Sequence, residues 1–201
     1  MLDREVERIP VVVAENYVVL GQLAALRFLE WTLHNPNGVI SLPTGKTPEF
    51  FIKWAVFYLE NWKEQCRKGL PGRIGFESKR KPDLKGLIFV QLDEFFPMDP
   101  AHERSFSYFV KKYYIRGLKL DAGKALTMDT FGMDEIRKKV IGNVGNIAEI
   151  FDDGIIDFSL RERQPANKKE DLKKLAIQYF DQFCQDYENH IRSLGGIGFF
   201  L

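Results

Sequence analysis

The chain is poor in the residues that carry metal and redox chemistry, with two cysteines and three histidines in 201 residues. Cys66 and Cys184 lie far apart and form no CxxC pair. Their spacing indicates neither a zinc site nor a redox couple, and both read as reduced structural thiols. Net charge is also scarce: 29 basic against 28 acidic residues leave +1, which gives no global attraction to nucleic acid or to anionic membranes. No apolar run approaches the roughly 18 residues of a membrane span. Residues 1–8 are heavily charged and lack the apolar core of a secretory signal. These absences lead to the expectation of a cytoplasmic protein with no metal, nucleic-acid or membrane partner.

What is present is the composition of a packed α/β domain. The chain is 45% hydrophobic, enough for one sizeable core, and its 17 phenylalanines fall among aliphatic residues rather than in a base-stacking pattern. Helical periodicity runs over 15–33, from about 47 to 67, over 105–114 and over 172–194. Thr47-Pro48-Glu49 reads as a helix start: a hydroxyl cap, a proline in the first turn and an acid. Short apolar runs at 39–42, 87–92, 125–131 and 197–201 read as strands, with a further candidate at 155–158. Residues 69–83 read as a solvated loop. Strands alternating with helices predict a parallel-sheet, Rossmann-like, three-layer α/β domain. The whole of 1–201 reads as one domain, with an insertion around 132–168. Gly195-Gly196 stops the last helix, and the apolar run behind it reads as an edge strand or as the end of a fragment.

Two of the strands end abruptly in chemistry. The run at 39–42 leads into Thr44-Gly45-Lys46-Thr47-Pro48, and the run at 87–92 leads into Asp93-Glu94. Ligands of open α/β sheets sit outside the carboxyl ends of the strands. A glycine turn before a helix N-terminus, flanked by two hydroxyls and a lysine, suits a phosphate. The same residues also suit an ordinary strand–helix turn. The nucleotide-binding pattern G-x-x-x-x-G-K-[ST] fails, because it requires glycine where Ile40 stands. Without it, the resemblance of Asp93-Glu94 to a nucleotidase acidic pair has no partner. A carboxylate at a strand end can serve as a general base if partial burial raises its pKa. Two adjacent carboxylates point in different directions, so one is expected to face the ligand and the other to make structural bonds. His102 and Ser105, in the loop that follows, are candidate supporting groups. A solvated loop histidine is the plainer reading of His102.

These motifs resemble the glucosamine-6-phosphate deaminase/isomerase family. Leu42-Pro43-Thr44-Gly45-Lys46-Thr47-Pro48 is similar to that family's Leu-Pro-Thr-Gly-Ser-Thr-Pro loop, with Lys46 in place of serine. Leu92-Asp93-Glu94-Phe95, followed by His102-Glu103-Arg104-Ser105-Phe106-Ser107-Tyr108-Phe109, resembles its Met-Asp-Glu-Tyr and His-Pro-x-Ser-Tyr-x-x-Phe run. Tyr187-Glu188, Ile191-Arg192 and Gly195-Gly196-Ile197 resemble the helix and strand before its catalytic loop. The resemblance implies conversion of glucosamine 6-phosphate and water to fructose 6-phosphate and ammonia, without a metal or organic cofactor. It places Asp93 as the proton-abstracting base and Thr44, Gly45, Lys46 and Thr47 in the sugar-phosphate site, with Glu94, His102 and Ser105 as support. It leaves homo-oligomerisation open. The family's Gly-Gly-x-Gly-x-Asp-Gly-His loop, which carries the ring-opening histidine, is not among the 201 residues. The chain is therefore expected to be an N-terminal portion with impaired turnover. Two alternatives share the fold: a non-catalytic phosphosugar sensor, and a 6-phosphogluconolactonase-like hydrolase, whose loop instead reads Ser-Gly-Gly-Ser-Thr-Pro.

Overall fold

The computed structural model describes residues 11–73, 80–96, 98–128 and 147–201. Its centre is a four-stranded, all-parallel sheet in the order β3-β2-β1-β4: β1 Val39–Ser41, β2 Ile88–Val90, β3 Ala125–Leu126 and β4 Phe199–Phe200. Ile40 pairs with Phe89 on one side and Phe199 on the other, and Phe89 pairs with Ala125. Helices cover both faces, which is why β1 and β2 read as continuous apolar runs rather than alternating ones. Ile40 and Phe89 join the larger core with helices α1 (Tyr17–His34) and α2 (Glu49–Glu60). Val39 and Val90 meet Tyr187 of the long helix (Lys168–Ser193) on the opposite face. The alternation of neighbouring side chains across the sheet thus builds the three-layer α/β arrangement expected from sequence.

Local chemistry sets the helix boundaries. Asn16 caps α1 by accepting from Val19 N at 3.0 Å, and Asn35 closes it by donating to Trp31 O. Gly21 lets α1 lie directly on α2, because a Cβ there would stand 2.5 Å from Phe50 Cβ and 2.7 Å from Phe51 N.

Several expected elements differ. The helix read through to about residue 67 breaks at Asn61, whose backbone and side-chain nitrogens both donate to Phe57 O; α3 (Trp62–Arg67) restarts beyond it. Thr47 does not cap α2: Pro48 occupies the capping position, with no side-chain capping bond. The 69–83 loop contains a helical turn, Leu70–Arg73, that buries Leu70. The helix read over 105–114 is α4 (Phe106–Phe109), continuing as a π-helix over Val110–Arg116. The strand read at 155–158 does not form. Asp153 and Asp157 accept from the amides of Ile155 and Ser159, and these turns lead into a 3₁₀ segment, Phe158–Arg161. Only Ala125–Leu126 of the 125–131 run is strand, and 129–131 lie outside the described residues. Of the expected insertion, 132–146 also lie outside them. Its remainder packs Ile150, Phe151 and Leu160 on Ala176 and Ile177 of the long helix, numbered α5 here. Both cysteines are free.

Arg163 ties this segment to α5. It bonds both carboxylate oxygens of Glu170, at 2.6 and 3.0 Å, and Asp157 at 2.7 Å. Asp157 is lowered to about 2 by hydrogen bonds from Ser159 and then Arg163. Glu170 is lowered to about 2 by Arg163 and then the Ala166 amide. Depressed carboxylate pKa values stabilise the fold above the unfolded-state pKa of roughly 4 and lose that contribution as pH falls toward about 2. The melting temperature is therefore expected to fall across this window, and to fall less in Arg163→Gln. Because the groups are only half-buried and still reach solvent, the difference between the two proteins should shrink in high salt, as paired thermal melts would show.

Candidate active site

The loop after β1 begins in the core and ends in solvent. Leu42 is buried, and Pro43 O accepts a 2.5 Å bond from the buried Tyr114 hydroxyl on the π-helix. Gly45 then adopts φ +84°, a left-handed conformation that side chains with a Cβ disfavour, and the space beside it is open. Thr44 is half-buried, whereas Gly45, Lys46 and Thr47 are exposed. The turn closes with Glu49 N donating to Lys46 O at 3.2 Å, directly at the N-terminus of α2. That end of a twelve-residue helix favours negative charge. Tyr114→Phe removes this bond between the loop and the π-helix while keeping the ring packed. It is expected to cost about 1–2 kcal/mol, measurable by chemical denaturation.

The loop after β2 is built around a buried glutamine. Gln91 is 1% exposed. Its side-chain oxygen accepts from Met128 N at 3.0 Å and Ser107 Oγ at 2.8 Å, and its nitrogen donates to the Asp93 carbonyl at 2.8 Å. Its backbone oxygen accepts from the Tyr187 hydroxyl at 2.7 Å, so α5 also clamps this strand end. Every polar group of this residue is used to fix the chain immediately before Asp93.

The two adjacent carboxylates have opposite environments. Glu94 accepts from Ser105 Oγ at 2.7 Å and from the amides of Ser107, Phe106 and Phe95 at 2.8, 3.1 and 3.0 Å. Partial burial pushes its pKa up, but these donors outweigh burial and hold it below the ordinary carboxylate value. Glu94 therefore anchors the N-terminus of α4. Asp93 is exposed, and its carboxylate makes no hydrogen bond or ion pair among the described residues. Its pKa is raised, first by desolvation and then by the Glu94 charge. A raised, unsatisfied carboxylate on a rigid support is suited to accept a proton.

The supporting candidates separate in the same way. Ser105 is buried, caps α4 by accepting from Tyr108 N, and bonds Glu94. His102 is exposed, and its Nδ1 accepts from Arg104 N at 3.2 Å, closing a local turn. Gln91 and Tyr114 were given no role from sequence, and Ser107 and Tyr187 stood there only within motifs that carry the resemblance. A further signal was Gln91 itself, a polar residue inside an otherwise apolar strand run.

Thr44–Thr47 and Asp93 follow adjacent parallel strands at the same edge of the sheet. β1 lies between β2 and β4, so the chain turns to opposite sides of β1, the topological switch at which α/β sheets open a crevice. Beside the Gly45–Lys46 turn lies a cavity of about 720 Å³, which Asp93 does not line. Among the described residues there is no cluster of three or more metal-ligating side chains, and no helix is long and apolar enough to cross a membrane.

No family model matches the chain. In sequence it is similar to the glucosamine-6-phosphate deaminase of Clostridium tetani, with 26% identity over 131 residues, covering 65% of this chain and 46% of that protein. In structure it is similar to a monomeric glucosamine-6-phosphate deaminase described as a missing link of the NagB superfamily. That match has a TM-score of 0.55 at 15% identity and covers 94% of this chain and 52% of the other. The chain thus spans about half the length of the proteins it matches. The structural match shows the fold, and the sequence match agrees with the family resemblance carried by the two strand-end motifs.

Proposed function

We propose that this chain supplies the enolising base and phosphate loop of a glucosamine-6-phosphate deaminase/isomerase-type site in carbohydrate metabolism. The reaction converts glucosamine 6-phosphate and water to fructose 6-phosphate and ammonia. In the open-chain sugar, Asp93 takes the proton on C2 as the C1 carbonyl oxygen gains one, giving an enolamine. Return of a proton to C1 leaves an imine at C2, to which water adds as ammonia departs. Thr44, Gly45, Lys46 and Thr47 hold the phosphate end, and Glu94 with Ser105 keeps the Asp93 loop in place. His102 has only a local role in this scheme. The sequence of steps requires no metal or organic cofactor, and we place it in the cytoplasm.

The observation that carries the reading is the free, partly desolvated Asp93 carboxylate, held at the strand end beside a glycine turn suited to phosphate. The test is exchange of the carbon-bound hydrogen next to the sugar carbonyl in deuterated water, followed by NMR. That step follows ring opening and precedes ammonia loss, so it reads the work assigned to Asp93 apart from the deamination. Wild type is expected to exchange and Asp93→Asn is not. Exchange that survives the substitution, or none by the wild type, overturns the reading.

A further inference from the structure

The 720 Å³ cavity next to the Gly45–Lys46 turn lies within the size range of small-molecule sites. Its walls come from the start of α2, from the loop at Glu103–Arg104, and from α4 with its π-helical continuation. Four cationic side chains line it, Lys46, Lys53, Arg104 and Lys112, against two carboxylates, Glu49 and Glu103. Lys53 is neutralised by Glu49 at 2.5 Å. Lys46, Arg104 and Lys112 form no ion pair among the described residues. Lys46 also acts on the Glu49 charge, and the four cations against two carboxylates leave an excess of two positive charges on one concavity of a chain whose overall charge is only +1.

The remaining lining has a different character. Tyr108, Phe109 and Tyr113 present rings, and Ile52 adds apolar surface. Lys112 Nζ lies 5.7 Å from the Tyr108 ring centre and 5.1 Å from that of Tyr113, so its charge is held among the rings rather than by a carboxylate. A site pairing unpaired cations with aromatic faces matches a ligand that joins an anion to a ring.

We infer that this cavity binds a phosphomonoester carried on a ring, with the phosphate among Lys46, Arg104 and Lys112 and the ring against Tyr108 and Tyr113. The ring is that of a phosphosugar or of a nucleoside monophosphate, which share this chemistry. Assigning Arg104, Lys112 and the two tyrosines to ligand binding goes beyond the proposed reaction. It rests on that reading only for the phosphate role of the Gly45–Lys46 turn. Asp93 lines no part of the cavity, so Asp93→Asn is expected to abolish exchange of carbon-bound hydrogen while leaving ester binding intact, and failure of the two readings is told apart by that variant.

The test is calorimetric titration of the 201-residue protein with glucosamine 6-phosphate, glucosamine, adenosine 5′-monophosphate and inorganic phosphate. At least one ring-bearing ester is expected to bind, and to bind about tenfold or more tighter than inorganic phosphate; which ester binds identifies the ring. Glucosamine is expected not to bind. Arg104→Gln and Lys112→Gln should each weaken the ester about tenfold, as loss of a charge-assisted contact predicts. Tyr113→Leu should weaken the ester but not inorganic phosphate. Arg104, Lys112 and Tyr113 are exposed, so thermal melts of these variants should match the wild type. Absence of ester binding at millimolar concentration, equal binding of glucosamine, or binding indifferent to both charge substitutions overturns the inference.

Discussion

Asp93→Asn is expected to lower deuterium exchange at the sugar carbon by a factor of at least about 10² to 10⁴, the range a positioned general base supplies. Asparagine keeps the shape and the backbone bond from Gln91 but cannot take a proton. In wild type the exchange rate should rise with pH through a carboxylate pKa above the ordinary value, because only the ionised form is a base and burial plus Glu94 disfavour that form. The same shift has a consequence for stability. A carboxylate whose folded pKa is raised is penalised once pH exceeds its folded pKa, and carries no penalty below the unfolded value near 4. Asp93→Asn should therefore raise the melting temperature slightly at neutral pH, and the gain should vanish in acid. The exposure of Asp93 keeps this gain small. A variant that loses exchange while gaining stability has lost a functional group rather than a structural one.

Gln91→Leu is expected to behave in the opposite way, losing stability and exchange together. Leucine fills similar volume, so packing is largely retained. It removes the acceptor for Met128 N and Ser107 Oγ and the donor to the Asp93 carbonyl. Ser107 Oγ keeps Met128 O at 2.9 Å as a partner, so the main orphan is the Met128 amide. The cost should be about 1–3 kcal/mol by urea denaturation, the penalty for a buried donor left unpaired. Exchange should fall about 10²-fold, because displacing a catalytic group by an ångström costs that much. Gln91→Glu separates the two effects: it keeps the acceptor oxygens but places a second charge beside Glu94 and loses the donor to Asp93. It should move the pH dependence of exchange upward, a change that a merely destabilised fold would not produce. Unchanged exchange in both variants would show that Asp93 does not depend on this support.

Much of the fold and part of the site were legible in the chain because they depend on local rules. Buried parallel strands must be apolar on both faces, so the runs around Ile40 and Phe89 announced themselves. α1 shows apolar residues at helical spacing, and α5 carries strong periodicity. The boundaries that went astray were decided by competition. Asn61 diverted a helix through its own side chain, and Asp153 and Asp157 turned an apolar stretch into 3₁₀ structure. For the site, the residues alone anticipated the paired strand ends and different duties for two adjacent carboxylates; only the family resemblance named Asp93 as the base and Glu94 as support.

By itself the sequence determined an α/β parallel-sheet domain and two chemically distinct strand ends, because periodicity, glycine placement and residue chemistry act over a few positions. Only the tertiary structure decided what those ends can do. Ser105, Phe106 and Ser107 arrive from a separate helix to saturate Glu94, and Tyr187 reaches back from 96 positions away to lock Gln91. The cationic, aromatic cavity brings together Lys46, Arg104 and Lys112 from three separate elements. Hydrogen bonds and electrostatic fields depend on distance in space, and that distance exists only once the chain has folded.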